Sequence, residues 1–433
     1  MPDKTPKNAK SPLKNAADAD KKPVENSDEK LASSFRKADR SAVKHSGKKS
    51  RANAVMLGLG VVGILGGVGC ALAGVLMPRE MLPDLTFPVV PSAVETDNNI
   101  YSKLTGLKST AEAVNGPAYC IQTPNGTDGA RPQVGLNQAG VVFEAIAEAG
   151  ITRFAAIYQN PTSAVIGPIR SLRIYYLEWD TPFDCTIVHA GGAEDALAAV
   201  SRGGYRDLTE NYTYMYRGPN AARRWNNLFT TSGLLAQMAN DRGYDKSDVK
   251  GFSRLTPEEA ARARVDAGAE PLVITAPASG DTSAVKAAVA NVAVNFGGLA
   301  NFNVRYTYDA ERNVYARGFE SGAAHEIYVC PEENLGEVNP EGTCSLEQLA
   351  PSVVVAMEVA EKRAADGYHE DITTVGSGKA WVFQNGQAIV GSWSKSSVKD
   401  QIKFFDASGA EIKLVPGQTF VEAVPGYGSV EYN

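Results

Sequence analysis

Between Glu144 and His189 the chain gathers the side chains best suited to chemistry: Glu144, Glu148, Arg153, Arg170, Ser171, Arg173 and His189. Val141–Glu148 and Ile151–Gln159 are apolar-rich runs on either side of Ala149-Gly150. As strand–turn–strand, they set Glu148 opposite Ile151 and Ile146 opposite Arg153. Glu144, Glu148 and Arg153 then share one face, with Arg153 diagonal to both carboxylates. Paired carboxylates can do acid–base work, which makes Glu144, Glu148 and His189 the candidate catalytic residues. The same pattern also reads as a surface ion-pair ladder, worth about 0–1 kcal/mol per pair. An amphipathic helix over Val141–Glu148 is the competing reading of the first run.

A second chemistry is anion binding. Gly167-Pro168 forces a turn, and Ser171 is placed to cap a helix over Leu172–Trp179. The first turn of a helix has unpaired N–H groups and the positive end of the dipole. Arg170 and Arg173 add guanidinium groups that grip oxyanions two bonds at a time. The alternative is that both arginines pair with Glu178, Asp180 or other internal carboxylates. His189 ends an apolar run, Cys185–His189, before Gly191-Gly192 opens a helix over Ala193–Val200. Ends of strands border the ligand crevice in open α/β sheets, so His189 joins Arg153, Arg170, Ser171 and Arg173 as a ligand-binding candidate. A hydrogen-bonded structural histidine is the competing reading.

No phosphate-binding loop, His-Glu-x-x-His, Cys-x-x-Cys or Gly-x-Ser-x-Gly occurs. With His189, His325 and His369 the only histidines after residue 54, no metal site and no cofactor are expected.

The elements that must position these groups divide at about residue 265. Residues 113–265 read as an α/β domain, with a strand at Ala118–Gln122 and a helix at Phe229–Asn240 besides those above. Residues 266–433 read as mainly β after one helix at Val285–Val294. Its hairpins are Val304–Tyr308 with Val314–Gly318, Ala380–Gln384 with Gln387–Val390 around Asn385-Gly386, and Lys403–Asp406 with Glu411–Leu414. A last strand is expected at Thr419–Val424. The aromatics Trp381, Phe383, Trp393, Phe404, Phe405 and Phe420 read as core.

Residues 1–53 carry 14 Lys/Arg and 7 Asp/Glu with few large apolar side chains, the composition of a disordered segment. Ala54–Met77 is uncharged and apolar, long enough to cross a bilayer core of roughly 30 Å. Lys44, Lys48, Lys49 and Arg51 precede it, so the positive-inside rule keeps the tail cytoplasmic and sends the body outside. A rival reading is a lipoprotein cleavage site at Gly67-Val68-Gly69-Cys70. Residues 78–112, starting with four prolines by Pro91, read as a linker. Residues 54–433 carry 29 Lys/Arg against 42 Asp/Glu, which argues against a nucleic-acid partner. Four cysteines lie beyond the span, in an oxidising compartment. Cys330 and Cys344 flank a polar loop that suits a local disulfide; Cys120 and Cys185 either pair or stay as two buried thiols.

Several motifs occur together in order. Ala130-Arg131-Pro132-Gln133-Val134-Gly135-Leu136, Glu148-Ala149-Gly150-Ile151-Thr152-Arg153-Phe154, Ile166-Gly167-Pro168-Ile169-Arg170-Ser171-Leu172-Arg173 and Ile187-Val188-His189-Ala190-Gly191-Gly192 occupy the first half. Gly376-Ser377-Gly378-Lys379-Ala380, Gly391-Ser392-Trp393-Ser394-Lys395 and Pro416-Gly417-Gln418-Thr419 occupy the second. Over roughly residues 115–430 the chain resembles the YerB-like lipoprotein family, two-domain bacterial envelope proteins with no assigned reaction. The resemblance adds Arg131 and Gln133 to the ligand-binding candidates. Two classes of function stay open: an envelope module that binds an anionic wall polymer, a lipid-linked precursor or a partner protein, favoured by the membrane tether, the acidic exported body and the absent nucleophile motif, and a hydrolase or transferase acting on wall polymers. This chain departs from the family at Arg224-Trp225-Asn226-Asn227-Leu228, where many members have proline-histidine-asparagine.

Overall fold

The computed structural model describes residues 100–223, 225–267, 287–331 and 343–433. The 1–53 tail and the 54–77 span lie outside them; among the described residues no helix is long and apolar enough to cross a membrane. Order begins before the expected linker ends. Leu104 is buried in the core and a short helix, Ala111–Asn115, is capped by the Thr110 hydroxyl.

Residues 96–433 form one compact unit. Its frame, among the described residues, is an eleven-stranded mixed sheet. One half runs Val141–Glu148, Ile151–Gln159, Ala118–Pro124, Thr186–Val188, Arg206–Leu208; the other runs Lys403–Asp406, Gln387–Lys395, Gly376–Gln384, Val353–Val359, Thr419–Pro425. The halves join where Thr419–Glu422 lies parallel to Val141–Glu144. The first half is α/β and the second mainly β, as expected, but they share this sheet. Both joining strands are buried on both faces, which suits a parallel pair covered from two sides.

One face of the sheet packs under helices Ile174–Asp180 and Glu194–Ser201 through Phe143, Trp179, Val355 and Val421. The other carries two separate clusters. Val142, Phe154 and Phe420 pack with helix Ser232–Arg242, capped by Thr231. Ile146, Val354, Ala356 and Val424 pack against a second sheet of Asn291–Asn295, Val304–Asp309, Val314–Phe319 and Ser429–Tyr432.

The helix expected at Val285–Val294 is absent from its described part, which is strand at Ala287–Ala288 and Asn291–Asn295. The burial of Val292 and Val294 around half-buried Ala293 has period two, and pairing with Val304–Thr307 outweighs alanine's helix propensity. Glu411–Leu414 makes only isolated bridges. The Asn385-Gly386 turn has both residues at positive φ, as a two-residue hairpin requires. Phe383, Trp393, Phe404 and Phe420 are buried, while Trp381 and Phe405 are partly buried.

Candidate functional site

The hairpin at Ala149-Gly150 is bulged, and this separates the two carboxylates. Glu148 does pair with Ile151, but Ile146 faces Thr152 and Ala145 faces Arg153, because the register shifts between Ile146 and Glu148. One extra residue moves everything beyond it to the other face. Glu144 therefore lies on the face with Thr152, while Glu148 joins Arg153 on the opposite one. The expected shared face, and the surface ladder, are both corrected: Glu144 and Arg153 are buried and Glu148 is mostly so.

Glu148 is held between two arginines. Arg153 Nη2 donates to its Oε1 at 2.6 Å and Arg173 Nη2 to its Oε2. Burial would raise the Glu148 pKa, but Arg153 and Arg173 hold it below the usual range. Arg153 also donates to the Ser171 carbonyl and Arg173 to the Leu172 carbonyl, each at 3.0 Å. Ser171 is not the helix cap. The helix starts at Ile174, Arg173 occupies the cap position, and no side chain caps it. The chain stays extended through Ser171–Arg173 because Leu172 bridges to Gly192 of the neighbouring loop. Arg173 is thus paired with an internal carboxylate. Arg170 is half-buried with no hydrogen bond or ion pair from its side chain among the described residues. His189 ends its strand as expected, fully buried, with Nδ1 at 2.7 Å from the Gly191 carbonyl and Nε2 at 2.7 Å from Asp207. Glu144, Glu148 and His189 do not converge on one pocket.

Glu144 belongs to a polar chain along the seam of the two halves. Its Oε1 accepts from Asn125 at 3.0 Å and Thr152 at 2.6 Å, and its Oε2 from Arg317 Nη2. Arg317, on Val314–Phe319, is fully buried and donates through Nε to the Tyr306 hydroxyl at 3.0 Å. Burial opposes its charge, but Glu144, together with Tyr306 and Glu422, more than restores it. The third arm reaches His325 Nδ1, so the His325 proton sits on Nε2, which meets Gln133 Oε1 at 2.9 Å. Burial first, then Arg317 and Arg131, push the His325 pKa far down, and the ring is neutral. Glu422 lies directly beside Glu144 across the joined strands and meets the Tyr306 hydroxyl. Burial and the Glu144 charge push its pKa far up. Two adjacent buried carboxyls with one arginine settle as one ionised and one protonated.

The Arg131-Pro132-Gln133 motif brings this chain to the surface. Gln133 Nε2 donates to the Pro124 carbonyl at 3.0 Å, and Arg131 Nε donates to Asn125 Oδ1 at 2.8 Å. The rest of the Arg131 guanidinium meets the Asn301 carbonyl, at 3.3 and 3.4 Å, and lies 3.9 Å from the centre of the Phe319 ring and 5.1 Å from that of Phe302. Among the described residues no carboxylate forms an ion pair with it. Burial, then Arg317, lower its pKa to about 10, with Glu144 in partial opposition. Beside it is a cavity of about 410 Å³ lined by Arg131, Phe319, His325, Thr127, Ser321 and Glu326. The walls come from both halves of the chain. A half-buried guanidinium with no ion-pair partner among the described residues, at a cavity between two domains, is suited to an oxyanion.

Arg317, Glu422, Tyr306 and His325 were not among the sequence candidates. A signal existed: Arg317 sits in the buried register of Tyr315 and Phe319, and Glu422 in that of Phe420 and Val424. No group of three or more His, Cys, Asp or Glu among the described residues is arranged to hold a metal. Cys330 joins Cys344 with Cα atoms 4.7 Å apart, and Cys120 joins Cys185 at 5.7 Å.

A third titratable group stands apart. Burial, with a smaller push from Glu370, raises the Glu361 pKa to about 7, against the Tyr427 hydrogen bond and Arg363. Below the normal glutamate range both folded and unfolded states hold this proton. From there up to about pH 7 only the folded state does, so stability falls as pH rises through that window. Glu361→Gln should remove that part of the slope in unfolding midpoints measured against pH; an unchanged slope would assign it to other groups.

Family models for a "Protein of unknown function (DUF3048)" match the chain, the N-terminal domain over residues 104–245 and the C-terminal domain over 292–421. A Bacillus subtilis (strain 168) protein named "Putative lipoprotein YerB" is 26% identical over 343 residues, covering 76% of this chain and 88% of its own length. The crystal structure of YerB protein from Bacillus subtilis superposes with a TM-score of 0.58 at 23% identity, over 77% of this chain and 99% of that one; it shares the fold. With both domain models matched in order across the shared sheet, the chain belongs to the YerB-like DUF3048 family, whose function is unknown.

Proposed function

We propose that this is an extracytoplasmic envelope protein, tethered to the membrane by residues 54–77, which binds an anionic ligand in the cavity between its two halves. The observation that carries this reading is Arg131, half-buried at the cavity and lacking an ion-pair partner among the described residues. The name of the Bacillus relative, the two disulfides and the charge asymmetry around the span support the placement. In such a setting the candidate oxyanions are wall-polymer phosphates, a polyprenyl pyrophosphate and peptide carboxylates. Arg170, half-buried and without a bonding partner among the described residues, is a second cation on the N-terminal half.

A ligand that binds only the folded chain raises its stability by about 2.7 kcal/mol at a hundredfold excess over Kd. Thermal unfolding of the full-length chain in lipid nanodiscs should therefore shift upward with inorganic phosphate, pyrophosphate or a carboxylated wall peptide. No shift with any of the three, at concentrations that leave a neutral-salt control unchanged, would reject the reading.

A further inference from the structure

A second exposed feature lies beside the Ala149-Gly150 turn of the Val141–Glu148 hairpin. Tyr427 is 60% exposed, unusual for an aromatic ring that is also fixed at both ends. Its hydroxyl lies 2.5 Å from Glu361 Oε1. Its ring edge rests on Gly297, where a Cβ would come within 2.5 Å of the ring. A side chain held this way loses little freedom when something packs on its open face.

Beside the ring is a cavity of about 320 Å³ whose wall includes Arg363, Glu370, Leu299 and the Gly150, Gly297 and Gly298 backbone. Gly298 and Gly150 are in direct backbone contact, leaving a floor without side chains. Arg363 Nε lies 3.3 Å from Glu370 Oε1, so the two charges cancel locally. Arg363 is half exposed, with donors left over, and Glu370 keeps a second acceptor oxygen.

We propose that Tyr427, Arg363 and Glu370 form a binding platform for an uncharged pyranose of a glycan. The apolar C–H face of the sugar would lie on the Tyr427 ring. Vicinal hydroxyls both donate and accept, and a guanidinium–carboxylate pair offers both functions side by side. Arg363 offsets the Glu370 charge, so the pair itself does not select an ion, and the glycine floor presents no side chain of its own. This site uses none of the residues around Arg131 and does not depend on anion binding there.

The test is calorimetric titration of the full-length chain in lipid nanodiscs with tri-N-acetylchitotriose, cellotriose, maltotriose and mannotriose. At least one is expected to bind. Tyr427→Ala should weaken it at least about tenfold, while Tyr427→Phe, which keeps the ring, should stay within about threefold. Arg363→Ala, at a half-exposed position, should also weaken binding and serves if Tyr427→Ala fails to fold. Arg131→Gln should leave sugar binding unchanged. The proposal is overturned if none of the four sugars binds the wild type, or if Tyr427→Ala or Arg363→Ala binds as tightly as wild type.

Discussion

Glu144→Gln is expected to destabilise the protein by about 3–5 kcal/mol, whereas its neighbour Glu422→Gln should change stability by no more than about 1 kcal/mol. The two residues are the same type, equally buried, and side by side across the joined strands. What distinguishes them is charge. Glu144 is the ion-pair partner of Arg317, which cannot shed its proton; removing that carboxylate leaves the buried guanidinium with no carboxylate bonded to it, and only Glu422, against its own burial, could ionise in its place. Glu422 is held protonated by burial and by Glu144, so a carboxamide reproduces its shape and offers an N–H where the acid has an O–H. Arg317→Met should cost less than Glu144→Gln, because it removes the one charge at the seam that cannot be neutralised. Urea unfolding at neutral pH measures all three. If Glu422→Gln proves as damaging as Glu144→Gln, both carboxyls are ionised and the seam is wired differently.

Loss of the Cys120–Cys185 link is the second large effect. It spans a sequence separation of 65, and chain-entropy reasoning gives about 4 kcal/mol for closing such a loop. Cys330–Cys344, with a separation of 14, should contribute about 3 kcal/mol. Cys120→Ala with Cys185→Ala should therefore lower the unfolding midpoint of oxidised protein more than Cys330→Ala with Cys344→Ala. The longer link also ties the Ala118–Pro124 strand to the segment entering Thr186–Val188, which pair in the sheet, so its loss should loosen that edge. Equal midpoints for the two double variants would show that native packing, and not loop length, governs their contributions.

Most first-half elements were legible because their signals are local. The Ala118, Val141, Ile151 and Thr186 strands carry dense apolar runs, and Gly191-Gly192 marks the turn before the helix at Glu194. Hairpins such as the one at Asn385-Gly386 announce themselves through turn residues. What failed was what depends on one residue of register or on distant partners. The bulge before Glu148 leaves no mark in a run reading Val-Val-Phe-Glu-Ala-Ile-Ala-Glu, yet it decides which face each carboxylate occupies. Ser171 has the composition of a cap, but the bridge from Leu172 to Gly192 keeps the chain extended for two more residues. Arg317 and Glu422 come from the second half of the chain; Glu422 meets Glu144 within the shared sheet, and Arg317 reaches it from the four-stranded sheet. Arg131 and Gln133 entered through a family motif; their geometry needed Asn125, Asn301 and His325, far apart in sequence.

The most direct test of the anion site is calorimetric titration of pyrophosphate into the full-length chain in lipid nanodiscs, comparing wild type with Arg131→Gln and Arg170→Gln. The cavity reading predicts that Arg131→Gln weakens binding by at least about tenfold while its unfolding midpoint stays near that of wild type, and that Arg170→Gln has the smaller effect. Binding that survives Arg131→Gln unchanged, or that is lost only on Arg170→Gln, would contradict it.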